Sequence, residues 1–203
     1  MSYDENLKFV VLGEGRVGKN VILSRYFTNK FNGEKNTINP AFFEKTWNYK
    51  GKKFNLKFYD TAGQETFNAI NTMYYQNAVG ALIVYDVTIP ETFEKAKSWA
   101  DTLRELVGED IVIVFAGNKY DLADKISLEE SRVKIEEYCK QKQFKHFYTA
   151  DKTGFNLDAV FECLITSALE KVMSNNNEGN KRRRGKKLEI REQLEAKHEK
   201  GCY

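Results

Sequence analysis

Cysteine and proline are scarce, with three and two residues in a chain of 203. Cys139, Cys163 and Cys202 are odd in number and far apart. That spacing offers neither a disulfide framework nor a zinc-ligand pattern, and it favours a reducing setting. Cys139 and Cys163 fall in segments of helical pattern, where both are expected to be buried as small apolar side chains. Long apolar runs are absent too. None reaches the length that crosses a bilayer, and the first residues carry no signal-peptide core. Met1-Ser2 lacks the glycine that N-myristoylation requires. An excess of one charge is missing from most of the chain. Residues 1–174 hold 23 Lys/Arg against 24 Asp/Glu, whereas residues 175–203 hold nine against five. A near-neutral body with a basic tail points to an acidic surface as the tail's partner, membrane or nucleic acid.

What is present has a regular order. Leu7–Leu12 is a short apolar strand. Residues 41–49 and 52–60 read as a hairpin turning at Lys50-Gly51, with Phe54, Leu56 and Phe58 on one face and Asn55 and Lys57 on the other. Residues 79–85 and 111–116 are continuous apolar runs, the signature of central parallel strands covered on both faces. His146–Thr149 is a candidate last strand. Helices are expected near 18–27, 67–77, 91–107, 128–142 and 155–174. Pro90 suits a helix start, and Ser127 followed by Glu130 reads as a capping box. There are no internal repeats. The alternation predicts an α/β fold: a doubly wound, mostly parallel six-stranded sheet with one antiparallel edge strand and about five helices. Ligands in such sheets bind at the carboxyl ends of the parallel strands.

Three motifs occupy those ends in chain order. The first, Gly13-Glu14-Gly15-Arg16-Val17-Gly18-Lys19-Asn20, departs by one residue from the phosphate-binding pattern of Gly, four residues, Gly, Lys, then Ser or Thr. Backbone N–H groups must curl around phosphate oxygens, and side chains at the glycines would block that approach. The helix that begins near Val21 adds free N–H groups and a positive dipole end, and Lys19 adds a point charge. Asn20 stands where a metal-ligating hydroxyl belongs.

The second motif is Asp60-Thr61-Ala62-Gly63-Gln64-Glu65. An acid ending a strand can bind Mg²⁺ through water, Gly63 can bring its N–H to a terminal phosphate, and Gln64 can orient an attacking water. Alone, the same residues can simply cap a turn. The third is Asn118-Lys119-Tyr120-Asp121. The Asp121 carboxylate can accept from the N1–H and 2-amino groups of guanine. Adenine lacks that donor pair and would leave a charge unpaired, at about 1–3 kcal/mol. Asn118 would tie this loop to the phosphate loop, and the Lys119 stem would cover the base. An ATPase or kinase reading fails on this third motif.

With these motifs, residues 5–174 resemble the Ras-superfamily small GTPases. Asp60–Glu65, Met73-Tyr74-Tyr75 and the basic, cysteine-bearing tail resemble the Rab family. Gly13-Glu14-Gly15, Asn29-Lys30-Phe31-Asn32 and Ala41-Phe42 lean towards its endocytic branch. The resemblance implies a G domain over 1–174, a hypervariable tail over 175–203, and a GTP/GDP switch with Mg²⁺ that hydrolyses GTP slowly in vesicle traffic. Phe31 would stack on guanine. Thr37 would close on Mg²⁺ together with Asn20 and Asp60. Residues 32–42 and 61–76 would be switches. Lys19, Gly63 and Gln64 would carry catalysis. Phe42, Tyr59 and Tyr74 match the Rab effector triad, with Tyr59 in place of Trp. The same resemblance implies a monomer on the cytoplasmic face of endosomal or other intracellular membranes. Its partners would be an exchange factor, an activating protein that supplies an arginine, and effectors. No nucleic-acid partner is expected, since only the tail's charge argues for one.

Besides Tyr59, the chain departs from the family in four places. Asn20 is longer than Ser by one atom, and in this family such an Asn weakens Mg²⁺ and GTP relative to GDP and traps exchange factors. The alternative function is therefore a GDP-biased or non-hydrolysing module that sequesters an exchange factor. The family's Ser-Ala-Lys appears as Ala150-Asp151-Lys152. The hydroxyl that braces Asp121 is lost, Asp151 can still supply an N–H to guanine, and its carboxylate repels the base unless it turns outward. Pro40 removes a donor from the first switch. Thr66 stands where Rabs have Arg. In the tail, Lys181–Lys187 form a basic block suited to an anionic leaflet. Cys202 is a single candidate for prenylation, in neither a paired nor a C-a-a-X arrangement.

Overall fold

The computed structural model describes residues 5–29, 42–60 and 75–175. Six strands form one sheet: β1 (Glu5–Leu12), β2 (Phe42–Tyr49), β3 (Lys52–Asp60), β4 (Ala78–Asp86), β5 (Val112–Asn118) and β6 (Lys145–Tyr148). Their spatial order is β2-β3-β1-β4-β5-β6. Only β2 runs antiparallel to its neighbour. The helices are α1 (Lys19–Thr28), α2 (Pro90–Val107) and α3 (Lys125–Gln141), with a 3-10 turn at Tyr120–Leu122. The chain divides into two compact units, residues 1–168 and 169–203. A helix, α4, begins at residue 157 and fills the rest of the first unit; in the second, residues 169–175 are helical.

The predicted hairpin forms, with Lys50 and Gly51 both at positive φ in the turn. β4 and β5 are the continuous apolar runs, and every residue from Gly80 to Asp86 is buried. On one face Tyr85, Ile83, Phe115 and Val10 pack against Phe93, Ala96, Trp99 and Leu103 of α2 and Ile135 and Cys139 of α3. On the other face the packing is aromatic. Phe58 stacks on Phe9 with centroids 4.7 Å apart and meets Phe27 and Phe161 edge-on. Tyr26 of α1 stacks on Phe161 of α4.

Two expectations change. α3 starts at Lys125, so Ser127 lies within the first turn instead of capping it. Cys139 is buried, but Cys163 is only half-buried on its helix. Asn55, on the face opposite Phe54, is also buried, and its amide donates to Asn6 Oδ1 on the neighbouring strand. The helix expected near 67–77 falls almost wholly outside the described residues. Among the described residues no helix is long and apolar enough to cross a membrane.

The order of the sheet sets where a ligand goes. From β1 the chain moves first to β2 and β3 on one side and then to β4, β5 and β6 on the other. The crevice at the carboxyl end of β1 is the switch point at which doubly wound sheets bind ligands.

Candidate phosphate and base site

The loop after β1 enters that crevice. Gly13 has φ +146, and a Cβ there would lie 2.1 Å from the Val84 carbonyl oxygen, so only glycine lets the loop leave β1 along β4. Gly18 caps α1 in the left-handed region, with φ +100. Between them Gly15 is half-buried, Arg16 is exposed at φ +66, and Val17 is buried. The Lys19 side chain turns back into the loop. Its Nζ donates to the carbonyl oxygens of Gly13 and Glu14, each at 2.9 Å, and the residue is 7% exposed. An ammonium held this way sits beside the positive end of α1, a strongly anion-attracting arrangement. Val21 begins the buried face of that helix.

Strand ends supply the acids. β1 and β3 pair in register with Val11 opposite Asp60, so Asp60 ends β3 next to the loop and is buried. Asp86 ends β4 in the same way. Its carboxylate accepts from Thr88 N–H and the Thr88 hydroxyl, and it pairs with Lys119 Nζ at 3.1 Å. Lys119 therefore spans from the base-side loop to the end of the central strand. Sequence reasoning passed over Asp86, although the signal was the same as for Asp60: an acid closing an apolar strand.

Asn118, fully buried at the end of β5, is the hub. Its Nδ2 donates to Val17 O at 2.9 Å and to Asp151 Oδ2 at 2.9 Å. Its Oδ1 accepts from Asp151 N–H at 3.1 Å and from the Thr149 hydroxyl at 3.4 Å. Both donors and both lone pairs of the amide are thus used. Further bonds, Tyr120 N–H to Thr149 O and Thr149 N–H to Gly117 O, hold the 118–121 and 149–152 loops together. Asp121 is exposed in the 3-10 turn, Ala150 is buried and Lys152 is exposed.

Asp151 is bound into this hub. Its N–H is already committed to Asn118 Oδ1. Its carboxylate turns inward, not outward: the residue is 7% exposed, and Oδ2 lies 2.5 Å from where a Cβ on Gly18 would be. Burial raises its pKa from the ordinary carboxylate value, against the opposing hydrogen bonds from Asn118 and the Lys152 N–H.

One contact that sequence reasoning missed ties the loop to α2. Glu14 pairs with Lys95 at 2.5 Å, and this partner holds the Glu14 carboxyl below its ordinary pKa. No local spacing signals a pair so far apart in the chain. On the opposite flank, Phe42 and Tyr59 face one another across β2 and β3 with ring centroids 5.1 Å apart, and Phe42 is exposed. Phe31, Thr37, Gly63, Gln64, Thr66 and Tyr74, and Cys202 in the tail, lie outside the described residues.

The site's donors suit a nucleotide and its metal. Among the described residues no cluster of three or more His, Cys, Asp or Glu side chains could hold a metal ion. Mg²⁺ needs no such cage, because it is commonly held by one or two protein oxygens with phosphate and water. Asp60 and the Asn20 amide oxygen provide hard oxygen donors of that kind, beside the loop.

Comparison with known proteins agrees with this geometry. Residues 8–170 match the Ras family. Mouse Ras-related protein Rab-21 is 38% identical over 168 residues, covering 81% of this chain and 74% of the mouse protein. The GTP-binding protein YPT53 of Saccharomyces cerevisiae is 39% identical over 163 residues, 78% of this chain and 74% of its own. Ras-related protein rab-11.1 of Caenorhabditis elegans is 36% identical over 181 residues, 89% and 84% of the two chains.

Proposed function

The chain belongs to the Ras family as a Rab small GTPase, and from that premise we propose that it is a guanine-nucleotide switch of membrane traffic, acting on the endocytic side. The observation that carries this reading is the hydrogen bond from Asn118 Nδ2 to Val17 O. It makes the base-side loop and the phosphate loop one rigid unit, as a single ligand spanning both requires.

Each residue then has a task. N–H groups from Gly13 to Asn20 and the Lys19 ammonium hold the phosphates. Asp121 accepts the guanine edge, while the Lys119 stem, drawn across by Asp86, covers the ring. Asn20, Asp60 and Thr37 would hold Mg²⁺, which would neutralise phosphate charge. Gln64 and the Gly63 N–H orient the attacking water against the terminal phosphate. Hydrolysis is slow until an activating protein adds an arginine. The exposed pair Phe42 and Tyr59, with Tyr74, meets effectors. The G domain occupies 1–174. The basic tail, with lipidated Cys202, holds the protein to the cytoplasmic face of an intracellular membrane.

A second reading is favoured by Asn20: a GDP-biased form that retains an exchange factor. Affinities for GTP and GDP across a Mg²⁺ titration, with Asn20→Thr alongside, separate the two. Equal affinities, both strengthened by Mg²⁺ and little changed by the substitution, support the working switch. Weak GTP binding that Asn20→Thr restores supports the trap. Absence of binding to either nucleotide refutes both.

A further inference from the structure

The base-side loop is hydrogen-bonded within itself. Asp151 N–H donates to Asn118 Oδ1, the Lys152 N–H donates to the Asp151 carboxylate, and Asn118 Nδ2 donates to Asp151 Oδ2. The same carboxylate packs against Gly18, the residue that caps α1. A buried anion there occupies the positive end of the helix that the nucleotide's phosphates also approach. Two further charges face it, Lys119 attracting and Asp121 repelling.

We propose that Asp151 closes the guanine-side loop on itself and serves as an internal anion at the start of α1, so that it lowers guanine-nucleotide affinity and speeds release. A bound base must draw the Asp151 and Lys152 N–H groups away from acceptors they already have. The phosphates must share the end of α1 with a charge that cannot leave. Both effects lower affinity for GDP and GTP alike, which distinguishes Asp151 from Asn20, whose effect depends on Mg²⁺. Asp151 is thus a residue that sets the lifetime of the bound state. This rests on the guanine-nucleotide reading above.

The test is binding and release of fluorescently labelled GDP, with the ligand-free thermal midpoint, for the full chain and for Asp151→Asn and Asp151→Ala. Asp151→Asn keeps an oxygen for the Asn118 amide and removes the charge; Asp151→Ala removes both. Both are expected to tighten GDP and slow its release about tenfold, by the size of a partly buried charge at a helix end. Both are also expected to lower the ligand-free midpoint. If the unaltered chain binds GDP and the folded neutral variants bind it equally or more weakly, the proposal is overturned while the guanine reading stands. If Asp151→Asn does not fold, the Asp151→Ala comparison decides on the same terms. If neither the chain nor any variant binds GDP, the guanine reading falls and this proposal with it.

Discussion

Asn118 Nδ2 lies 2.9 Å from the carbonyl oxygen of Val17, joining residues 101 positions apart in the chain. The bond is fully buried, so its loss is not repaired by water. Replacing Asn118 by Ala leaves Val17 O, the Asp151 N–H and the Asp151 carboxylate short of a partner. Each unsatisfied buried group costs about 1–3 kcal/mol. Asn118→Ala is therefore expected to lower the urea midpoint clearly and to abolish measurable nucleotide binding by calorimetry. Normal affinity in the variant would show that the two loops are positioned by something else.

Gly13 tolerates no side chain. At φ +146, with the Val84 carbonyl oxygen 2.1 Å from a would-be Cβ, Ala must both strain and displace the strand end. The backbone strain alone costs about 1–3 kcal/mol. Gly13→Ala is expected to unfold at a lower temperature than the parent chain, read by circular dichroism, and to lose phosphate binding.

Phe58 stands at the meeting point of Phe9, Phe27 and Phe161 on the aromatic face of the sheet. Phe58→Ala opens a cavity in that cluster, at a cost of about 3–5 kcal/mol. Denaturant unfolding measures it. A loss under 1 kcal/mol, on the order of an ordinary surface substitution, would mean that this face is not tightly packed.

Acid should weaken the fold through His146. Burial lowers its pKa from 6.5 to about 4, and its Nε2 lies 2.8 Å from the Tyr85 hydroxyl, whose own pKa burial raises well above 10. That hydroxyl keeps its proton and donates to the neutral ring. Below pH 6.5 the unfolded chain takes up a proton that the folded chain refuses. Stability is thus full above pH 6.5 and falls towards pH 4, at up to about 1.4 kcal/mol per pH unit. His146→Gln can still accept from Tyr85 and does not titrate. Urea midpoints between pH 7 and 5 should fall less in the variant; parallel declines would assign the acid sensitivity elsewhere.

The pair Glu14–Lys95 predicts a small effect. Both groups reach solvent, with side chains 32% and 58% exposed, and such pairs contribute about 0–1 kcal/mol. Lys95→Met should change stability by no more than that in low salt and by less in high salt. A larger loss in thermal unfolding would mean that the pair sets the shape of the phosphate loop.

Much of this was readable from the chain. Continuous apolar runs could only be central strands, and Lys50-Gly51 between alternating segments could only turn. The Gly-Lys loop, the acid after Tyr59 and the Asn-Lys-x-Asp run all ended strands, so their meeting at one edge followed from the topology. What was not readable depended on where a side chain points once loops converge. For Asp151 the chain alone left the direction of the carboxylate open, towards the base or out to water. In the fold the Asn118 amide and the Lys152 N–H offer it donors, and it turns inward. The Lys125 start of α3 overrode a plausible cap at Ser127, since several residues near a helix start can satisfy its free N–H groups.

β1 lies in the middle of the sheet although it comes first in the chain. Its partner on one side, β3, ends at Asp60, while β4 pairs Val11 with Leu82, about 70 residues later. During synthesis, then, the first strand made is flanked on both sides only after β4 has left the ribosome. A chain halted before Ala78 holds β1 with one backbone edge exposed, ready to pair with whatever strand is nearby. The strand that opens the phosphate loop thus waits for β4 before both of its edges are covered. Premature termination in the first half of this chain should therefore yield aggregates, not a smaller folded domain.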